Sequence, residues 1–283
     1  MFPTDIRTRS PFAQGSYRVA LLVALALWLL PLAAVMMTSV RGMADINAGN
    51  YWGLPSQWML VENYTEVFRR TRMAQYLWNS VMITVPAMAG AVALSALAGY
   101  ALAKYSFRGN LVVFAIFIAG NFVPFQILMI PVRDLTISTG LYDTIAGLVL
   151  FHIAFQTGFC TLFMRNFMMA VPDEIIESAR MEGAGELRIF LTVVLPLLRP
   201  ALAALAVLVF TFIWNDYFWA LILVQSDTAR PVTAGLAALS GQWISSWQLI
   251  SAGSIVAALP PVFLFFLMQR HFIAGLTMGA TKG

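Results

Sequence analysis

The chain has 283 residues, of which 60% are hydrophobic and only 11% charged, with 17 Lys and Arg against 13 Asp and Glu. An ordinary soluble domain is about 45–50% apolar and about 25% charged. This much apolar surface cannot be hidden in one soluble core, so a soluble enzyme, a disordered chain and a nucleic-acid-binding domain are excluded, and the net charge of +4 reports topology before it reports a ligand.

Charge-free gaps mark the spans in chain order. Arg18 to Arg41 encloses 22 residues without a charge, Arg72 to Lys104 encloses 31, Arg108 to Arg133 encloses 24, and Asp143 to Arg165 encloses 21. Arg199 to Asp227 encloses 27, interrupted only by Asp216, and Arg230 to Arg270 encloses 39. At 1.5 Å per residue, about 20 helical residues cross the hydrocarbon. The pattern predicts an all-α polytopic membrane protein with six helices near 19–39, 80–103, 111–131, 144–164, 201–224 and 250–268. Residues 1–18 form an N-terminal segment ahead of a transmembrane domain over 19–283. The first apolar run is long and a longer one follows, so it reads as a retained anchor and not a cleaved signal. The stretch 231–249 holds Gly241, Gln242, Trp243, Ser245, Ser246 and Trp247. It reads as an outer re-entrant or interfacial segment with Trp at headgroup level.

Sidedness follows from the cations. With both termini cytoplasmic, the inner side carries Arg7, Arg9, Arg18, Lys104, Arg108, Arg165, Arg180, Arg188, Arg199, Arg270 and Lys282, eleven of the 17. The outer six are Arg41, Arg69, Arg70, Arg72, Arg133 and Arg230. This bias supports a multi-pass chain with both ends inside, and an even number of spans agrees with it. Ser95 and Gly99 form a small-xxx-small pair that lets helices approach closely. Pro86, Pro124, Pro131 and Pro260-Pro261 each remove a backbone donor, so kinks or breaks are expected there.

Catalytic motifs are missing. Lys104 and Lys282 are the two lysines, and neither closes a phosphate loop. His152 and His271 open no zinc motif, and Cys160 sits in an apolar run as a core residue. No catalytic residue, metal or bound cofactor is expected. Polar residues within the spans are Asn121, Gln126, Gln156, Asn215 and Asp216. They are candidates for lining a translocation path. A charged residue mid-span costs about 2.5–3.5 kcal/mol on insertion scales, so Asp216 needs a cavity, a partner or a function. The competing reading, that Asn215 and Asp216 cap or cross-link helices at the interface with a second transmembrane subunit, is preferred.

Between the fourth and fifth spans lies an insert, 171–196, far longer than a hairpin requires. Pro172 suits the start of a helix, and Asp173, Glu174 and Glu177 favour its positive end. Gly183-Ala184-Gly185 then turns the chain, and a second helix runs to Leu195-Pro196. Ser178, Ala179, Gly183 and Ala184 leave a thin helix end for another protein to clasp, with Ala179 and Gly183 four apart on one face. The acidic load, including Glu182 and Glu186, argues against anionic lipid as the partner of that helix and for a protein groove.

Glu177-Ser178-Ala179, with Gly183 six residues after Glu177 and then Leu195-Pro196, resembles the EAA loop of ABC importer permeases. Ser178 replaces the first Ala of that pattern, and Val193 its Ile. Further stretches resemble the maltose-type permeases of the carbohydrate uptake class: Asn79-Ser80, Tyr100-Ala101-Leu102-Ala103-Lys104 with Phe107, Trp214-Asn215-Asp216, and the tail Gly275–Gly283. The resemblance implies that Glu177, Ser178, Ala179, Glu182, Gly183 and Ala184 couple to a separate cytoplasmic ATPase. It also implies that the tail 270–283, through Gly279, Lys282 and Gly283, reaches the ATPase dimer, although alone it is expected to be disordered. The implied partners are a second permease subunit in a heterodimer, two ATP-binding subunits that hold ATP and Mg, an extracytoplasmic sugar-binding protein, and membrane lipid, with no nucleic acid. The implied cargo is a sugar, glycoside or related polyol. An ion-coupled secondary transporter is the alternative, disfavoured because no internal repeat is evident and Asp216 is the one acid at membrane depth.

Overall fold

The computed structural model describes residues 10–239 and 246–280, with side chains as far as Gln269. It divides into two compact units, one built from the chain up to Thr71 together with Leu239–Val256, the other from Arg72–Ala238 together with the chain from Ala257 on.

In the first unit, α1 (Pro11–Ser39) starts eight residues before the expected boundary at 19, with Pro at its first position and Ser10 Oγ accepting from Ala13 N at 3.3 Å. The following loop is tightly folded. Short α2 (Met43–Asn47) and α3 (Leu60–Arg70) enclose Arg41, which is fully buried. The Arg41 guanidinium donates to Tyr51 O at 3.2 Å and to Gly53 O. Asn63 Nδ2 donates to Ser39 O at 2.9 Å and Arg41 O at 2.8 Å. Backbone and side-chain hydrogen bonds from Ser56, assisted by Arg41, hold the Asp45 carboxyl below its usual range.

The second unit is organised by α4 (Met73–Lys104), a helix of 32 residues, about 48 Å long. It packs along α7 (Ile145–Met168) and α11 (Arg199–Trp214). Small residues permit the approach: a Cβ at Gly99 would meet Met164 Cβ and Arg165 N at 3.0 Å. Ser95 is fully buried, and its hydroxyl donates to Thr157 O at 3.2 Å. The small-xxx-small pair of the sequence therefore serves packing within this chain.

The third and fifth spans differ from expectation. The single helix expected over 111–131 is broken into α5 (Asn110–Gly120), a 3-10 turn (Phe125–Leu128) and α6 (Met129–Ser138), bent by 88°. Pro124 lacks a donor and disfavours helical backbone in Val123 before it, so the chain turns there. The fifth span, expected over 201–224, stops at Trp214 and resumes as α12 (Phe218–Leu223). On its other side, the helical stretch Glu186–Leu197 bends by 80° into Arg199–Trp214. Among the described residues, four helices are long and apolar enough to cross a membrane, or up to six if each bent pair counts as one span. Short α13 (Val232–Ala238) lies within 231–249, of which residues 240–245 fall outside the described part. The final helix, α14, runs Trp247–Ala280 and exceeds the expected 250–268, so the tail expected to be disordered is helical as far as Ala280. Lys282 and Gly283 lie outside the described residues.

The two ends of α4 carry different chemistry. At its start, Tyr76 OH donates to Asp227 Oδ1 at 2.8 Å, Asn79 Nδ2 donates to Arg230 O at 2.9 Å, and Ser80 Oγ accepts from Val232 N at 2.8 Å. Nearby, partial burial works against ionisation of Asp143, but donors from Ser226 and Gln225 outweigh it and hold its carboxyl below the usual range. Arg72 and Arg230 thus gather at one end of α4, while Lys104, Arg165 and Arg180 gather at the other.

Candidate functional site

The insert after α7 folds as helix, turn, helix. Its first helix, α8 (Asp173–Met181), carries Asp173 and Glu174 in its first turn, where the macrodipole favours anions. Pro172 is its N-cap, one position earlier than expected. Gly183 ends it with φ +81, a left-handed conformation that glycine adopts without strain. The chain then re-enters helix as α9 (Glu186–Ile189), a π turn (Phe190–Val194) and α10 (Leu195–Leu197). The π turn immediately precedes Leu195-Pro196, where the missing proline donor disfavours a regular ladder.

Two braces tie this insert to the end of α4. Lys104 Nζ donates to Asp173 Oδ1 at 2.6 Å and to Val171 O at 2.5 Å. Glu186 collects the second set. Arg180 reaches its carboxylate through Nε at 2.6 Å and Nη2 at 3.3 Å, Tyr100 OH donates to Oε2 at 3.3 Å, and Tyr105 OH donates to the same oxygen. The hydrogen bonds from Arg180 and Tyr105 pull the Glu186 pKa down to about 2. Partial burial, with Glu186 alongside, pushes the Tyr105 phenol up. Underneath, Ile176, Ile189 and Phe190 are buried, and Tyr100 packs on Phe190 with ring centroids 5.1 Å apart.

The residues singled out by sequence divide between two faces. Glu177, Ser178, Glu182 and Gly183 are exposed, with Ser178 Oγ donating to Ile175 O at 2.9 Å. Ala179 and Ala184 are half-buried against the chain's own core. Ala179 and Gly183 therefore do not share one docking face, because α8 ends at Met181 and Gly183 lies beyond it in the turn. The insert's exposed large apolar side chains are instead Ile175, Met181, Leu187 and Leu191, with Glu174, Glu177 and Glu182 also exposed, and Met181 is 85% exposed. Sequence reasoning missed Glu186 and Lys104 as braces. The available signal was Lys104 itself, one of two lysines, placed where an apolar span ends.

The candidate path residues do not form one cluster. Asn121 Nδ2 bonds back to Phe117 O at 2.9 Å at the end of α5, and Gln126 is exposed in the 3-10 turn. Gln156 is half-buried in α7, and Asn215 Nδ2 bonds to Thr211 O at 2.9 Å. Asp216 has the richest surroundings. It accepts from Ala220 N at 3.1 Å and Trp219 N at 3.4 Å, capping α12, and its Oδ2 lies 3.7 Å from His152 Nε2. Thr233 Oγ1 donates to its backbone carbonyl at 2.5 Å. Asp216 thus caps α12 within this chain, with His152 beside it on α7.

Comparison with known proteins agrees with the architecture. Residues 91–277 match the family model described as binding-protein-dependent transport system inner membrane component. The chain is 32% identical to a probable ABC transporter permease protein of Pyrococcus horikoshii over 88% of this chain and 91% of that one. It is 32% identical to an osmoprotective compounds uptake permease protein of Synechocystis sp. over 93% and 91%. It is 28% identical to an arabinooligosaccharides transport system permease protein of Bacillus subtilis over 94% and 96%. Its fold is similar to a chain from the crystal structure of a bacterial ABC transporter involved in the import of the acidic polysaccharide alginate, with a TM-score of 0.80 at 23% identity over 96% and 99% of the two chains. The chain belongs to the binding-protein-dependent transport system inner membrane component family, and is a non-catalytic, multi-pass ABC importer permease of the carbohydrate-uptake superfamily.

Proposed function

We propose that the insert 171–196 is the coupling element through which separate ATP-hydrolysing subunits drive this permease to import a sugar, glycoside or related polyol. One observation carries the reading. The insert exposes Ile175, Met181 and Leu187 together with several carboxylates, while it is braced to the end of α4 through Lys104–Asp173 and the bonds of Tyr100 and Tyr105 to Glu186. An element with a free outer face and a rigid inner mount transmits displacement as a body. A partner that moves α8 moves the end of α4, and α4 packs on α7 and α11. The EAA-like run Glu177 to Gly183 supports the same assignment, and the exposed carboxylates suit a basic rim on the ATPase.

In this reading the chain forms half of a path completed by a second permease subunit, two ATPases bind from the cytoplasm, and an extracytoplasmic sugar-binding protein delivers cargo. Both termini lie inside, and the tail through Gly279, Lys282 and Gly283 touches the ATPase dimer. The exposed Gln126 and Asn215, with Asn121 and Gln156, contribute polar groups to the path, whereas Asp216 holds the break between α11 and α12. The names of relatives, which mention osmoprotective compounds and arabinooligosaccharides, support a carbohydrate or polyol cargo.

Co-expression with the ATPase and second permease, followed by purification in mild detergent, tests the assignment. The reading predicts one complex whose ATP hydrolysis rises with the ligand-loaded binding protein. A chain that purifies alone and transports its substrate on an ion gradient contradicts it.

A further inference from the structure

We propose that the corner where α4 turns into α5 binds one anionic phospholipid, its phosphodiester against Arg165 and its acyl chains along the exposed face of α5. The turn 105–109 and the start of α5 border an open pocket of about 700 Å³ lined by Arg165, Phe107, Asn110, Leu111 and Val112 among others. The inference goes beyond the coupling reading and does not rest on it.

Arg165 is the reason to expect an anion. It is half-buried, with Nε donating to Leu102 O at 3.3 Å and its guanidinium carbon 4.1 Å from the centre of the Phe114 ring. These two contacts fix the plane of the guanidinium. Its terminal nitrogens have no acceptor among the described residues, and no carboxylate there lies within 4.0 Å of it. Lys104 also lines the cavity, but its ammonium is taken by Asp173 and the carbonyl of Val171. The neighbouring loop adds a second cation, Arg108, which is exposed and has no ion-pair partner among the described residues. A partly desolvated arginine without a carboxylate is most stable facing an external anion, and a forked guanidinium matches phosphate oxygens.

The apolar wall identifies the source of that anion. Leu111 is 73% exposed, Val112 63% and Ile116 67%, with Phe107 at the mouth. A soluble phosphate leaves this surface bare, whereas a phospholipid covers it and supplies the charge in one molecule. The wall is also preformed. Asn110 Nδ2 donates to Tyr105 O at 2.9 Å and to Leu102 O at 3.2 Å, so the turn is closed without the ligand. Cations at the end of a span, beside an apolar helix, lie at the depth of lipid phosphates.

The test is native mass spectrometry of the full chain in detergent micelles, titrated with dioleoylphosphatidylglycerol or dioleoylphosphatidylcholine. The first lipid bound should favour phosphatidylglycerol by about fivefold per contributing arginine. Arg165→Gln and, separately, Arg108→Gln should each reduce that preference, and Arg165→Lys should keep part of it. Arg108 is exposed, so its variant reports on binding without a folding penalty. Arg133→Gln, which removes a cation stacked on Tyr142 elsewhere, should leave the preference unchanged. Equal binding of the two lipids overturns the proposal, as does a preference that survives both the Arg165 and Arg108 variants. Displacement of the lipid by inorganic phosphate at millimolar concentration assigns the site to a soluble anion and also overturns it.

Discussion

Lys104 Nζ lies 2.6 Å from Asp173 Oδ1, so the last residue of α4 is tied to the first residue of α8 across 69 positions of sequence. The lysine side chain is 5% exposed and the aspartate 74%. The buried partner decides the energetics, because Lys104 also serves the carbonyl of Val171. Lys104→Met should destabilise the mounting of the insert by about 1–3 kcal/mol, the range for losing hydrogen bonds from a charged donor. Asp173→Asn should cost less, since the exposed carboxylate gains little in water. Limited proteolysis within 171–196, on the full chain in micelles, reads both effects, and equal sensitivity of the two variants contradicts this ranking.

The Glu186 carboxylate gives the second brace a pH limit. Its folded pKa, about 2, lies below the ordinary value of 4.5, chiefly through Arg180 and then Tyr105. A depressed carboxyl contributes stability that is complete above its unfolded pKa and lost as pH falls towards the folded one. The insert should therefore resist pepsin at pH 5, loosen progressively below about pH 4.5, and be open near pH 2. Glu186→Gln should be as open at pH 5 as the native chain is near pH 2. A digestion profile of native protein that is flat across this window contradicts the brace.

Gly183 separates turn geometry from docking. Its φ of +81 penalises a β-branched side chain, yet a Cβ there meets nothing within 4 Å. Asn tolerates left-handed backbone better than most residues. Gly183→Asn should therefore keep the stability of the chain, and Gly183→Val should lose about 1–2 kcal/mol. Thermal unfolding of the two variants in micelles checks this. By contrast Ala179→Asp is a poor probe of docking, because Ala179 packs on the chain's own core and the charge would disturb the insert itself.

The sequence exposed the architecture where physics is local, and concealed it where partners are distant in the chain. Charge-free runs located the spans because hydrocarbon tolerates few charges whatever the tertiary packing. The helix, Gly turn, helix pattern of the insert was legible for the same reason, since Pro172, the acidic first turn and Gly183 act over a few residues. The break at Asn215–Tyr217 was not legible, because no proline or glycine marks it; the bonds from Trp219 and Ala220 to Asp216 are local, but its neighbours His152 and Thr233 come from other elements. Likewise Glu186 read as one more acid in a charged helix, and its partners Tyr100 and Tyr105 lie more than 80 residues away.

Asp216 provides a test of that break. Asp216 precedes the N-cap Tyr217 and accepts from the first-turn amides of α12, a role in which its carboxylate is replaceable by an amide that still accepts a hydrogen bond. Asp216→Asn should retain most stability, and Asp216→Ala should lose about 1 kcal/mol or somewhat more. Uptake should follow stability across the two variants. Loss of uptake in Asp216→Asn with unchanged thermal unfolding contradicts a purely capping role and returns the carboxylate to the path.

Association of the ATPase with a Met181→Asp chain tests the central claim most directly. Met181 is 85% exposed at the end of α8 and makes no structural contribution to the braces, so a charge there alters the outward face and leaves the mount intact. The account predicts that the variant inserts into the membrane, keeps native thermal unfolding, and loses at least tenfold in ATPase affinity, corresponding to about 1.4 kcal/mol, together with uptake. Unchanged ATPase affinity and unchanged uptake in Met181→Asp would contradict it.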